Sequence, residues 1–84
     1  MQPSEAPTLP HFDERTLLAD PAVREAVLAA GFTVGNVDRW LRIAYRRDIK
    51  FLFDYLDMPD EELLHLSNFG VRCLGITHTL RLML

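Results

Sequence analysis

Glu62-Leu63-Leu64-His65-Leu66-Ser67-Asn68-Phe69-Gly70-Val71-Arg72-Cys73-Leu74 is the stretch that decides the reading of this chain. It reads as a short helix, a tight turn and the start of a second helix. Asn68 and Gly70 supply the turn chemistry, because both tolerate left-handed backbone angles that other residues resist. A helix that begins just after Gly70 leaves its first N–H groups without intrahelical partners, aimed outward where an anion can bind. Arg72, on the first turn, adds a full positive charge beside those donors.

Working outward, the residues on both sides are helical in pattern. Val71 to Leu84 is the last helix, with Leu74, Thr77, Leu80 and Met83 as its core stripe. Upstream, Pro59 to Leu66 is a short helix that Pro59 opens, and Asp60, Glu61 and Glu62 suit its N-terminal end. Ile49 to Asp57 is a short, very apolar helix with Phe51, Leu52, Tyr55 and Leu56 as core. Before it, the spacing predicts a helix from about Val37 to Arg47. Trp40, Leu41, Ala44 and Tyr45 face the core there, and Asp38 lies in the first turn. Arg39, Arg42 and Arg46 fall at i, i+3 and i+7 and make one stripe on another face. Asp20-Pro21-Ala22-Val23-Arg24-Glu25-Ala26-Val27-Leu28-Ala29-Ala30-Gly31 is a helix with a cap at Asp20, Pro21 at its first position and Gly31 to close it. Its apolar stripe is Val23, Val27 and Ala30, widened by Leu28, and residues 32–35 connect it to the next element. No segment carries a strand signal. The expected fold is all-α, a compact bundle of four to five short helices. Residues 1–12, with three of the five prolines, form a flexible tail, and 13–84 form a single helical domain.

Length and composition narrow the function. A chain of 84 residues has room for one small domain that buries roughly 60–65% of its unfolded surface. Apolar residues make up 49% and charged residues 25%, which describes a globular chain rather than a disordered one. No apolar run approaches the roughly 20 residues a membrane helix needs. The opening MQPSEAPTLP lacks the basic start and apolar core of a signal peptide, so a cytoplasmic location is expected. Cys73 is the one cysteine, which excludes an internal disulfide and a multi-thiolate zinc site; its place on an apolar helix face marks it as core. His11, His65 and His78 have no metal-ligand spacing, and the acids from Asp54 to Glu62 have no nucleophile–base pair beside them. No catalytic residue, metal or cofactor is expected, and the chain reads as a binding protein rather than an enzyme.

The net charge is −3, but its distribution matters more. Arg39, Arg42, Arg46, Arg47 and Lys50 make one region basic, and Asp54, Asp57, Asp60, Glu61 and Glu62 make the next acidic. Either run can be simply a solvated helix face. Trp40 and Tyr45 are read as core, with base stacking as the other use of such rings. Arg39 is either a groove probe or a surface arginine paired with Asp38 or another nearby carboxylate.

Taken together, Arg39 to Leu80 resembles the C-terminal domain of the bacterial RNA polymerase alpha subunit, a bundle of short helices ending in a helix-hairpin-helix. The resemblance needs no gap from Arg39 to Cys73. Arg39 falls on the arginine that in the family enters the DNA minor groove, and Arg42 on the asparagine that supports it. Asp48-Ile49 matches the start of the family's second helix, and Glu62-Leu63-Leu64 its Glu-Leu-Leu. Ser67-Asn68-Phe69-Gly70-Val71-Arg72-Cys73-Leu74 matches its Pro-Asn-Leu-Gly-Lys-Lys-Ser-Leu. Gly70, Arg72 and Cys73 thus take the places of the backbone-contacting glycine, lysine and serine. The chain departs from the pattern at Arg42-Ile43-Ala44, which replaces Asn-Cys-Leu, at Val71 for a lysine, and at Ser67 for the proline. It also lacks the subunit's large assembly domain, so it reads as a free-standing relative.

The resemblance implies a DNA-binding transcription regulator acting through Arg39, Arg42, Arg46, Asn68, Gly70, Arg72 and Cys73. The implied ligand is AT-rich DNA, held weakly by the isolated domain. RNA polymerase, a sigma factor or another transcription regulator is the implied protein partner, and no membrane is involved. The other reading is a protein-interaction adaptor of the same fold that contacts the transcription machinery without binding DNA. The negative net charge and the missing lysine favour the adaptor; the arginine stripe favours DNA.

Overall fold

A computed structural model describes residues 11–84, and the tail expected at 1–12 lies almost wholly outside them. Of that segment only His11 and Phe12 are described, and Phe12 packs against the core. Five helices follow: α1 (Pro21–Ala29), α2 (Val34–Arg46), α3 (Leu52–Leu56), α4 (Asp60–Leu64) and α5 (Val71–Met83). Among the described residues the only extended pairing is an isolated antiparallel bridge between Leu17 and Phe51. The all-α class expected from the periodicity is the class observed.

Local chemistry sets the helix ends. The Asp20 carboxylate accepts the Ala22 N–H at 2.9 Å, Pro21 sits at the first helical position, and Gly31 leaves α1 at φ +104°. Only a residue without Cβ takes that last angle freely. The second helix starts three residues earlier than its apolar pattern predicts. Thr33 caps it, its Oγ1 accepting the Asn36 N–H at 3.2 Å, and this bond brings Val34, Gly35 and Asn36 into the first turn despite their poor helix propensity. Asp38 therefore lies beyond the first turn, and instead of serving the helix dipole it pairs with Arg24 of α1 at 3.2 Å. α3 and α4 are single turns. Phe51 and Pro59 precede them in extended conformation, so Pro59 stands just outside α4 rather than within it.

The main packing seam runs between α2 and α5; α1 lies on α2, while α3 and α4 lie on α5. Val23, Ala26 and Val27 of α1 are buried, whereas Ala30 is not. From α2 come Val37, Trp40, Leu41, Ile43 and Ala44. Tyr45, expected in the core, is 48% exposed, because the buried stripe is filled by Val37, Trp40, Leu41 and Ala44 and Tyr45 falls beside it. Phe51 is likewise 38% exposed, held out by its bridge to Leu17. On α5 the buried face is Cys73, Ile76, Thr77 and Leu80, at i, i+3, i+4 and i+7. Leu74 and Met83, expected in that stripe, sit at its margin.

The centre of the core is Trp40. Its indole stacks on Tyr55 with ring centroids 4.8 Å apart, and Tyr55 meets Phe69 edge-on at 6.3 Å. Buried polar atoms need partners, and each one here has its own. Trp40 Nε1 donates to Thr77 Oγ1 at 3.0 Å, Thr77 Oγ1 donates to the Cys73 carbonyl at 3.2 Å, and the Tyr55 hydroxyl donates to the Trp40 carbonyl at 2.8 Å. Burial pushes the Tyr55 phenol far above its ordinary range, with the neighbouring Cys73 thiol adding to the effect. At the opposite end, Asp60 receives His78 Nε2 and Arg81, each at 2.7 Å. Arg81 also donates to the carbonyls of Leu56 and Met58, closing α5 over the α3–α4 connection.

Trp40→Ala should destabilise the domain by about 3–5 kcal/mol, since it removes a fully buried aromatic. Thr77→Val should cost about 1–3 kcal/mol with little change of volume, because it leaves the indole N–H buried without an acceptor. Denaturant unfolding checks both, and equal stability of Thr77→Val and wild type would contradict the bond.

The Asp60 clamp gives stability a pH dependence with a fixed sign. Hydrogen bonds from Arg81 and then His78 hold the Asp60 carboxyl below its ordinary value. Its contribution is complete above the unfolded aspartate pKa and is lost as pH falls through the lower folded value. Asp60→Asn should therefore melt below wild type at neutral pH, and the gap should narrow as the solution is taken into the acid range.

Candidate nucleic-acid interface

The turn between α4 and α5 determines what the basic face can present. Leu66 N–H closes on the Leu63 carbonyl at 3.0 Å and Phe69 N–H on the Leu66 carbonyl at 3.1 Å. Between them Asn68 takes φ +69°. The short asparagine side chain tolerates this left-handed angle, as the sequence leads one to expect. Gly70 does not share it. With φ −113° and ψ −167° it is the extended residue that precedes α5, and a Cβ there would meet nothing within 4 Å. The glycine is thus not needed for backbone strain, which corrects its expected role in the turn. What it leaves is open space beside the first N–H groups of α5.

Leu66 and Phe69 anchor this turn in the core at 6% and 5% exposure, leaving Ser67, Asn68 and Gly70 on the surface. Across from it runs α2. Arg39, Arg42, Ile43 and Arg46 line a recess of about 410 Å³ whose remaining wall is Asn68. Four of the expected site residues, from two elements twenty or more positions apart in the chain, therefore come together. Arg39 also lies close enough to the start of α5 for its charge to act on the Cys73 thiol.

The remaining three expected residues divide. Gly70 and Arg72 are exposed just beyond Asn68 but do not line this recess. Cys73 is only 2% exposed, so its side chain is removed from any contact surface; it is a core residue on the face α5 turns toward α2. Burial pushes its thiol above the ordinary range, opposed in part by the Gly70 backbone N–H and by Arg39. The apolar stripe of α5 takes precedence here over the serine-like position in the turn motif.

The electrostatics follow from which charges are used up. The ion pairs among the described residues are Arg24–Asp38, His78–Asp60 and Arg81–Asp60. Arg39, Arg42, Arg46, Arg47 and Arg72 take part in none of them. Asp38, the carboxylate next to Arg39 in sequence, is turned toward α1 instead. Ile43, 4% exposed, floors the arginine recess, and among the described residues no carboxylate lines it. A second recess adjoins the first, lined by Ile43, Arg46, Arg47 and Ser67. Arg47 belonged to the basic run in the sequence, but nothing in the pattern tied it to Ser67. No group of three His, Cys, Asp or Glu side chains comes together as a metal site among the described residues. No helix there is long and apolar enough to cross a membrane. Compared with protein-family models, with curated proteins and with solved structures, the chain matches none.

Asn68→Val should cost about 1–2 kcal/mol, the strain of a β-branched residue at positive φ, whereas Asn68→Gly should be close to neutral. Gly70→Ala should lower stability only by the modest cost of alanine at a helix N-cap, under about 1 kcal/mol, with no left-handed strain added. A large loss at Gly70 with none at Asn68 would show that the left-handed residue has been assigned to the wrong position.

Proposed function

We propose that the protein binds the backbone and minor groove of AT-rich DNA and acts in transcription, in the manner of the RNA polymerase alpha C-terminal domain that Arg39 to Leu80 resembles. The observation that carries the reading is the recess in which Arg39, Arg42 and Arg46 face Asn68 with no carboxylate on its walls. Three guanidiniums with no ion-pair partner among the described residues suit a polyanion, since Arg presents planar donors matched to phosphate oxygens. Arg72 and the N–H groups at the start of α5 extend the same donor-rich edge. RNA polymerase, a sigma factor or another regulator is the protein partner that the resemblance supplies.

A second observation favours the adaptor reading. Leu17, Ala19, Tyr45 and Ile49 line a mostly apolar notch rimmed by Asp48 and Lys50, and Leu17 and Tyr45 are 47% and 48% exposed. A half-exposed aromatic in such a notch is the kind of anchor a protein partner uses.

Titration with an AT-rich duplex at two salt concentrations separates the two. With about 3–4 phosphates reached, the log–log salt slope should be about −3 and Kd should lie at roughly 10⁻⁴–10⁻⁶ M. Arg39→Ala should weaken binding, and Arg15→Ala, on the segment before α1, should not. Arg81→Ala is unsuited as a control because Arg81 holds α5 to the α3–α4 connection. If the duplex shifts no amide resonances around Arg39 and Asn68 at low salt, the DNA reading fails.

A further inference from the structure

The DNA reading accounts for Arg39, Arg42 and Arg46 but not for the recess beyond them. That recess shares two walls, Ile43 and Arg46, with the first, and its other walls are Arg47 and Ser67. Resting on the DNA reading, we propose that it is a second phosphate subsite, so that two successive phosphates of one strand sit on either side of Arg46.

Three features support this occupant. The two recesses are contiguous and run along α2: Arg42 and Arg46 are one helical turn, about 6 Å, apart, a separation of the order of one nucleotide step. The donors are of the right kind. Arg46 and Arg47 bring guanidiniums, Ser67 brings a hydroxyl from the turn, and no carboxylate stands among the four lining residues. The backbone beneath them is fixed as well. Arg47 N–H is held by the Ala44 carbonyl at 3.1 Å, and Ser67 lies between the buried residues Leu66 and Phe69. The opposing terms are the C-terminal end of α2, which carries roughly half a negative charge, and the carboxylate of Asp48, which follows Arg47 but lines the apolar notch and not this recess. Two full positive charges on Arg46 and Arg47 line the recess itself and outweigh them.

Arg46 has a distinct place in this arrangement. It is the charged wall both recesses share, and its fork of donors can serve the phosphate on each side. Asn68 closes the first recess and Ser67 the second, so neighbouring residues of one turn address neighbouring phosphates. The contact carries no base information, because it is made to the backbone alone.

The test uses the full chain, the same AT-rich duplex and a GC-rich duplex of equal length, with thermal melting of each variant as the folding control. Arg47→Ala should reduce the magnitude of the log–log salt slope by about 1 and weaken binding to both duplexes by the same factor. Ser67→Asp should weaken both equally, and the duplex should shift the Ser67 amide resonance in the wild type. Binding that depends on Arg39 but keeps its slope and affinity in Arg47→Ala would overturn the second subsite and leave the DNA reading intact. A loss confined to one duplex would assign Arg47 to a base edge and also overturn it. No binding of either duplex at low salt would overturn both readings. Competition by poly-glutamate at the affinity of the duplex would assign the recess to carboxylates instead.

Discussion

The hydrogen bond from the Trp40 indole to Thr77 is the joint on which the rest of the molecule depends. It ties α2 to α5, the two longest helices, through the middle of the core. On the other side of the same residue, the Trp40 carbonyl receives the Tyr55 hydroxyl, which fixes α3. A domain this small has few apolar side chains to bury, so its stability is marginal. Placing its largest side chain where all its polar atoms find partners gives the burial of an indole without the cost of an orphaned N–H. Arg39 is the residue immediately before Trp40 in the chain. Its backbone position is therefore set by the core, and only its side chain is free to move.

The same economy governs charge. Asp60 gathers His78 and Arg81 at one end of α5, and Arg24 takes Asp38 away from Arg39. Neither cluster adds much to stability, since all the groups are at least a third exposed or close to it. Their effect is on what they leave over. Asp38, the carboxylate beside Arg39 in sequence, is committed to Arg24, so a chain of net charge −3 keeps a face of guanidiniums without ion-pair partners among the described residues. At physiological salt the Debye length is about 8 Å, so an approaching phosphate responds to the local face rather than to the net charge.

The sequence discloses α1 well because its boundaries are marked by side-chain chemistry. Asp20, Pro21 and Gly31 bound α1 as expected, and Asn68 takes the left-handed angle that its type suggests. The misreadings came from places where a tertiary partner outweighs a local signal. Tyr45 and Phe51 look like core residues by type, but one stands beside the filled stripe of α2 and the other is drawn out by the bridge to Leu17. Gly70 looks like a left-handed residue and is an extended one. Cys73 belongs by sequence both to a contact motif and to an apolar face; the two demands conflict, and the packing of α5 against α2 settles them in favour of burial. The meeting of α2 with the Ser67–Asn68 turn depends on how α5 crosses α2. Spacing along a single helix could bring the arginines together but could not show what stood opposite them.

A turn residue that also lines the recess sets a limit on the site. Asn68 holds an angle that few residues tolerate, and it lines the recess with the arginines. Changes there act on fold and surface at once, while changes at Arg39, Arg42 or Arg46 act on the surface alone. The arginines are long and exposed, and each gives up rotamer freedom when it closes on a phosphate, on the order of 0.5–1.5 kcal/mol. Several such losses offset much of what the contacts contribute, so a few phosphate contacts from mobile arginines give a weak hold. Such a surface becomes effective when something else brings it to the DNA, because tethering replaces the entropy of encounter with a local concentration in the millimolar range. The apolar notch around Leu17 and Tyr45 lies on the same molecule and is built of the contacts that could provide that tether. Under the proposed DNA reading, the notch would supply the anchor and the arginines the hold on a polyanion.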